Sequence, residues 1–258
     1  MRVAVAVAGV LVLGACGAQA VPQGRSPASL QETRQAHQPG PPAVALIPLT
    51  EKAGPMTVTG KVAHTTGGAS AAITEKVNEQ LAAPVYQRLR EYSIQLQATP
   101  TVPATATVNA GLRLATARYA SVRYDIEADS TALSHPTWNR ARALTVDLRT
   151  GDRVGAADVF QGRWLSGKGL RELGPRLVDG FHGRSCLARS GGAGTLKIRS
   201  VGELGGPQVQ FALLKDGLEV IVDAALYGYE TACGQPSARI PYAELTDVVL
   251  PSLVADLG

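Results

Sequence analysis

The chain lacks most of the signatures by which a sequence announces an enzyme. It has no Gly-x-Ser-x-Gly nucleophile elbow, His-Glu-x-x-His helix or Cys-x-x-Cys pair. Gly191-Gly-Ala-Gly194 is rich in glycine, but the Lys-Ser or Lys-Thr that completes a phosphate loop does not follow it, so it reads as a plain loop. Histidine is scarce. His64 and His182 share no ligand spacing, and His37 sits among Gln and Pro, so neither a metal nor any other cofactor is expected. Neither sign of charge dominates, with 25 Lys and Arg against 21 Asp and Glu. The basic residues are scattered apart from small groups such as Arg140 with Arg142 and Arg184 with Arg189. These read as solvated surface, which argues against a nucleic-acid partner. Long apolar runs are missing too: the longest, residues 3–13, is about half of the roughly 20 residues a spanning helix needs.

That short run has a different meaning at the amino end. Arg2 precedes it, and Leu13-Gly14-Ala15-Cys16 follows, which is the layout of a cleaved signal rather than of folded structure. The tetrapeptide resembles a bacterial lipobox, in which the cysteine thiol receives diacylglycerol and the new amine is acylated, for example with palmitate. The other reading is an ordinary secretory signal cut near Ala18 or Ala20, and the chain is exported under both. Each buried methylene contributes about 0.8 kcal/mol and one chain alone binds only marginally, so the two or three chains on Cys16 would hold the protein at the membrane. The expected location is the extracytoplasmic face of the cell membrane. Residues 1–15 are then the signal and 16–42 a lipidated tether rich in Gln, Pro, Gly, Ser and Ala. As a flexible coil the tether reaches roughly 25–30 Å. The folded domain is expected over residues 43–258.

Cysteine is also sparse, with three in all. With Cys16 lipidated, Cys186 and Cys233 remain, and in an oxidising compartment they are expected to form a disulfide. Chain entropy puts the value of that staple at roughly 4 kcal/mol. The alternative is a pair of buried free thiols.

Within the domain, residues 44–49 and 56–64 read as strands. Ser70 then caps a helix with an apolar stripe at Ile73, Val77, Leu81, Val85 and Leu89, which Pro84 should kink or divide. Val122, Tyr124 and Ile126 alternate with Arg123, Asp125 and Glu127, giving one core face and one wet face. Leu144, Val146 and Leu148 repeat the pattern, and residues 154–160 read as a short strand and bend. Lys215-Asp216-Gly217 joins two alternating runs in a hairpin that turns Glu219 and Asp223 away from the core. Leu170, Leu173, Leu177 and Phe181 suggest a helix weakened by Gly174 and Pro175. A closing helix after Pro241 should be interrupted by Pro251. Because strands and helices do not alternate strictly, the expected class is α+β, with antiparallel hairpins packed against a few amphipathic helices in a single disulfide-bonded domain.

Several segments in this order carry a family resemblance: Ile73-Thr-Glu-Lys-Val-Asn78, Ser121-Val-Arg-Tyr124, Ser134-His-Pro136 and Leu144-Thr-Val-Asp-Leu-Arg-Thr-Gly151, followed by Asp158-Val-Phe160. Phe211-Ala-Leu-Leu-Lys-Asp-Gly-Leu-Glu-Val220, Tyr227-Gly228 and Ile240-Pro-Tyr-Ala-Glu-Leu245 complete the set. Over roughly residues 55 to 250 the chain resembles the RsiV-like extracytoplasmic domain family. That family includes the outer half of a lysozyme-sensing anti-sigma factor, a domain appended to peptidoglycan deacetylases, and secreted antigens. The resemblance implies an α+β fold outside the membrane. The sigma-binding segment and spanning helix of the regulator, and the deacetylase domain, have no counterpart in this sequence.

The candidate ligand-binding residues are Ser134, His135, Trp138 and Asn139, in a polar connection between two strands where functional side chains often lie. His135 could bind a ligand, or its ring could simply bond the loop backbone. Trp138 could stack on a sugar, or form an edge of the core. No catalytic residue is assigned. The expected function is a non-catalytic binding or sensing module for a protein such as lysozyme or for peptidoglycan. The alternative is a small envelope hydrolase pairing His135 with Asp125 or Asp147.

Overall fold

Period-two alternation, broken once by a long helical stripe, builds the first half of the domain. The structure, a computed structural model, describes residues 40–96, 102–131, 137–181, 186–189, 196–229 and 233–257. The expected signal, Cys16 and most of the expected tether lie outside the described residues. Strand β1 (Gly40–Ala53) turns through Gly54 and Pro55 into β2 (Met56–Gly68), and both strands are longer than the sequence suggested. Helix α1 (Ala71–Leu96) follows, its start capped by Ser70, whose hydroxyl accepts a hydrogen bond from the Ile73 amide at 3.2 Å. Then come β3 (Ala104–Ala115), β4 (Tyr119–Asp129) and β5 (Thr137–Asp147).

These five strands form one sheet in the order β1-β2-β3-β4-β5. Three of its pairings are antiparallel and β2–β3 is parallel. Parallel neighbours need a crossover, and α1 provides it. The helix buries Val77, Leu81, Val85, Leu89, Tyr92 and Leu96 against the sheet and is a single helix through Pro84, contrary to the expected division. Proline in a helix interior costs about 3 kcal/mol. Fully burying Leu81 and Val85 on either side contributes roughly 1.5–3 kcal/mol each and outweighs it. A hydroxyl adds a tie: buried Tyr124 donates to the Leu81 carbonyl at 2.9 Å and accepts from the Ala63 amide at 3.1 Å, linking β4, α1 and β2. Burial pushes the Tyr124 phenol far above its ordinary range, so it remains a donor.

The second half forms a three-stranded antiparallel sheet, β6 (Val209–Leu213), β7 (Gly217–Val222) and β8 (Ser237–Pro241), whose first strand lies against β5, β4 and β3. Phe211, Leu213, Leu218, Val220 and Val222 line its outer face. There they pack with α3 (Gly167–Asp179) and α5 (Pro251–Leu257) in the larger core. Its other face meets the five-stranded sheet, where Ala141 and Ala143 touch Ala212 and Ile221. The layers therefore run α1, five strands, three strands, then helices and loops. Among the described residues no helix is long and apolar enough to cross a membrane.

Several local expectations are corrected by this packing. Residues 154–160 contain a one-turn helix, α2 (Ala156–Val159), rather than a strand. The Asp158 carboxylate accepts from the Gly155 amide, and an isolated bridge joins Phe160 to Val249. Helix α3 continues through Gly174 and Pro175. Glycine is needed there because a Cβ would run into the Leu196 backbone carbonyl. Pro251 starts α5 instead of interrupting a helix, at a first-turn position where its missing N–H costs nothing. The β6–β7 hairpin forms, but the role of Gly217 is close approach, since a Cβ would meet the Ile240 carbonyl. Glu219 and Asp223 point away from the larger core as expected, yet they are only 3% and 8% exposed because the five-stranded sheet covers that face. The wet face of β4 is covered at its start, where Ser121 is fully buried with its hydroxyl 2.8 Å from that of Thr145, and is exposed further along at Glu127.

Candidate functional site

The candidate binding residues belong to the connection from β4 to β5. Ser134 and His135 lie outside the described residues, and of Trp138 only the backbone, paired with Ala128, is described. Asn139 is exposed on β5 opposite Glu127. At the root of the connection Ser130 is buried, and its hydroxyl donates to the Pro103 carbonyl at 3.2 Å, pinning the end of β4 to the start of β3.

The two carboxylates considered as partners of His135 have other attachments. Asp125 receives the Arg123 guanidinium in a fork, with Nη2 2.8 Å from Oδ1 and Nε 3.1 Å from each oxygen. Asp147 accepts from Arg118 Nε at 3.0 Å and from the Arg149 amide at 2.8 Å. It also closes β5 at the end away from the connection, roughly 30 Å along the strand at 3.3 Å per residue. A general base needs lone pairs within reach of the histidine, and in both groups arginine occupies part of that capacity. His64 is half-buried with Nε2 3.2 Å from Asn78 Nδ2, while Asn78 also bonds the backbone of Thr65. His37 and His182 lie outside the described residues, which contain no cluster of three or more metal-ligating side chains.

Cys186 and Cys233 form the expected disulfide, with Cα atoms 5.8 Å apart. It joins α4 (Cys186–Arg189) to the segment entering β8. Near the end of α3, a cavity of about 220 Å³ is lined by Arg176, Asp179, Gly180, Ile240, Glu244 and Leu245. That is below the roughly 300–1,000 Å³ of small-molecule sites, and Arg176 spans its wall to the Glu244 carbonyl at 2.6 Å.

One constellation escaped the sequence reading. Between the sheets, Arg113 Nε lies 2.5 Å and Arg123 Nη1 2.8 Å from the two Glu219 oxygens, while Arg123 also reaches Asp125 and the Ser237 hydroxyl. Burial works to raise the Glu219 carboxyl. The two guanidinium groups outweigh it and hold its pKa below the ordinary carboxylate value. Two cations and two anions balance, so this is an internal clamp rather than a vacant binding site. The residues are 96 and 106 positions apart in sequence, and only the charges at alternate strand positions could have hinted at it.

No protein-family model matches the chain, and no curated protein matches it. Solved structures do. A member of the DUF3298 family from Bacteroides fragilis superposes with a TM-score of 0.54 and 13% identity, covering 84% of this chain and 98% of that one. A DUF3298 family protein from Pseudomonas aeruginosa PAO1 gives a TM-score of 0.50 and 13% identity over 84% of this chain and 97% of that one. At such identity the likeness concerns the fold alone: the α+β domain described above has the architecture seen in DUF3298 proteins.

Proposed function

We propose that this protein is an exported lipoprotein, anchored through Cys16 on the outer face of the membrane, whose domain is a non-catalytic binding or sensing module. Its ligand is a lysozyme-like protein or a cell-wall glycan, met at the 134–139 connection. The observation that supports the non-catalytic reading is that Asp125 and Asp147, the carboxylates considered for the hydrolase alternative, are ion-paired with Arg123 and Arg118. Export is supported by the lipobox-like Leu13-Gly14-Ala15-Cys16 and by the Cys186–Cys233 disulfide, a bond that persists in oxidising compartments. The sensing role is supported by the resemblance to RsiV-like domains.

The test has two parts. A clickable fatty acid should label the wild type in the membrane fraction but not a Cys16→Ala variant; an unlabelled wild type retained unprocessed in the cytosol overturns the anchoring. Immobilised lysozyme and purified peptidoglycan, each at physiological salt, should show retention by one of them. Retention by neither removes both ligands.

A further inference from the structure

Along β5 the side chains of Arg140 and Arg142 precede Leu144 and Val146 on one side of the strand, and that side packs under α1. The helix contributes Arg88, Glu91 and Tyr92. Arg88 pairs with Glu91 through Nη1 and lies over the Tyr92 ring, 4.3 Å from its centroid. Its Nε is buried and has no hydrogen-bond partner. Arg142 is half-buried, and its Nη1 donates to the Ala141 carbonyl at 3.1 Å. Among the described residues neither Arg140 nor Arg142 has a carboxylate partner, and Arg142 lies within electrostatic reach of two other guanidinium groups, Arg88 and Arg140, and of one acid, Glu91.

Such a surplus is costly. Burial lowers the Arg142 pKa below its ordinary value, and repulsion from Arg88 and Arg140 works in the same direction against the smaller relief from Glu91. Half-buried cations are normally matched by anions within hydrogen-bond reach. The same fold meets that requirement on the other face of the sheet, where Arg113 and Arg123 have Glu219 and Asp125. A guanidinium presents a planar fork of donors that suits carboxylate and phosphate oxygens. We propose that Arg88, Arg140 and Arg142 form an oxyanion-binding site between α1 and β5, taking a carboxylate or phosphate group of a larger ligand. Tyr92 and Glu91 hold Arg88 in place beneath it. The site stands on these side chains alone and requires neither lipidation of Cys16 nor the ligands named above.

The experiment is calorimetric titration of the purified full chain with sodium phosphate and, separately, sodium acetate, with chloride keeping ionic strength constant. Saturable binding of at least one anion is expected, and the preferred one assigns the source as a phosphate polymer or a carboxylate-bearing one. Arg88→Gln and Arg142→Gln should each weaken binding at least about tenfold, as loss of a charge-assisted hydrogen bond implies. Arg140→Gln should weaken it in a protein whose circular dichroism is unchanged. The bound anion should raise the Tm of the wild type and leave that of Arg142→Gln in place. The proposal is overturned if neither anion binds beyond chloride, or if affinity survives in the Arg140→Gln variant and in either of the other two.

Discussion

Replacing Glu219 with Gln keeps the shape of the side chain and removes its charge, leaving Arg113 and Arg123 facing a neutral amide. Glu219 is 3% exposed, and Arg113 makes its only described ion pair with it, whereas Arg123 retains Asp125 and Ser237. Removing one partner of a buried pair costs about 3–5 kcal/mol. The Arg113 and Arg123 side chains keep 19% and 18% of their exposure, so water softens the penalty and places it near the lower limit. At roughly 2–4 °C per kcal/mol for a domain of this size, the Tm should fall by about 6–12 °C. Thermal unfolding of the oxidised protein, followed by circular dichroism, measures it directly. Because the folded pKa of Glu219 is depressed, its contribution is fully present above the ordinary glutamate value and is lost as pH falls through the folded one. The gap between wild type and variant should therefore be constant above about pH 5 and close in stronger acid. Replacing the pair together, Glu219→Leu with Arg113→Met, should recover most of the loss, since an apolar pair of similar volume also removes the unmatched charge. A Glu219→Gln variant within about 1 kcal/mol of wild type, or a double variant as damaged as the sum of the singles, would refute the clamp.

Two further outcomes follow from the same structure. Tyr124→Phe leaves the Leu81 carbonyl and the Ala63 amide without their partner at a fully buried position, so denaturant titration should report a loss of about 1–3 kcal/mol with an unchanged slope. Cys186→Ser opens a loop spanning 47 residues and should cost roughly 4 kcal/mol; two alkylatable thiols in the unreduced wild-type chain would sink this expectation.

Much of the first layer could be read from side-chain period. The four-residue stripe from Ile73 to Leu89 became α1, and the alternation of Val122, Tyr124 and Ile126 became the strand against which that helix packs. Alternation reveals which residues share a face, but not what lies over it. Arg123 therefore read as wet and Glu219 as turned away from the core, and the covering layer draws both into the space between the sheets, while the Asp125 side chain keeps 39% of its exposure. Proline and glycine misled for a related reason. Their intrinsic cost is local, whereas the buried neighbours of Pro84 and the Leu196 carbonyl against Gly174 are tertiary facts. The candidate site was legible only as a polar connection between two strands. Its arginine neighbours on β5 were visible as a pair in sequence, and Arg88, which completes the group, lies more than fifty positions earlier on the helix.

The five-stranded sheet also constrains how a partner can be recognised. At the β5 edge, the outward amides of Ala141 and Ala143 donate to the side-chain oxygens of Gln235 at 2.7 Å and Gln210 at 2.9 Å, and Gln210 Nε2 returns a bond to the Ala141 carbonyl. The ladder positions that an added strand would need there are already filled by glutamine. At the opposite edge β1 pairs, among the described residues, only with β2, but it carries Pro41, Pro42 and Pro48, which have no N–H to offer and blunt strand-to-strand addition. Main-chain pairing is thus discouraged along both edges of this sheet. On the proposed binding role, recognition would fall to side chains, and β5 concentrates them: it follows the 134–139 connection, presents Arg140 and Arg142 beneath α1, and is packed behind by the second sheet through Ala141, Ala143 and Thr145. A strand fixed on one face and at its edge, with Arg140 and Arg142 on the other unmatched by any acid among the described residues, would suit the anionic ligand proposed above.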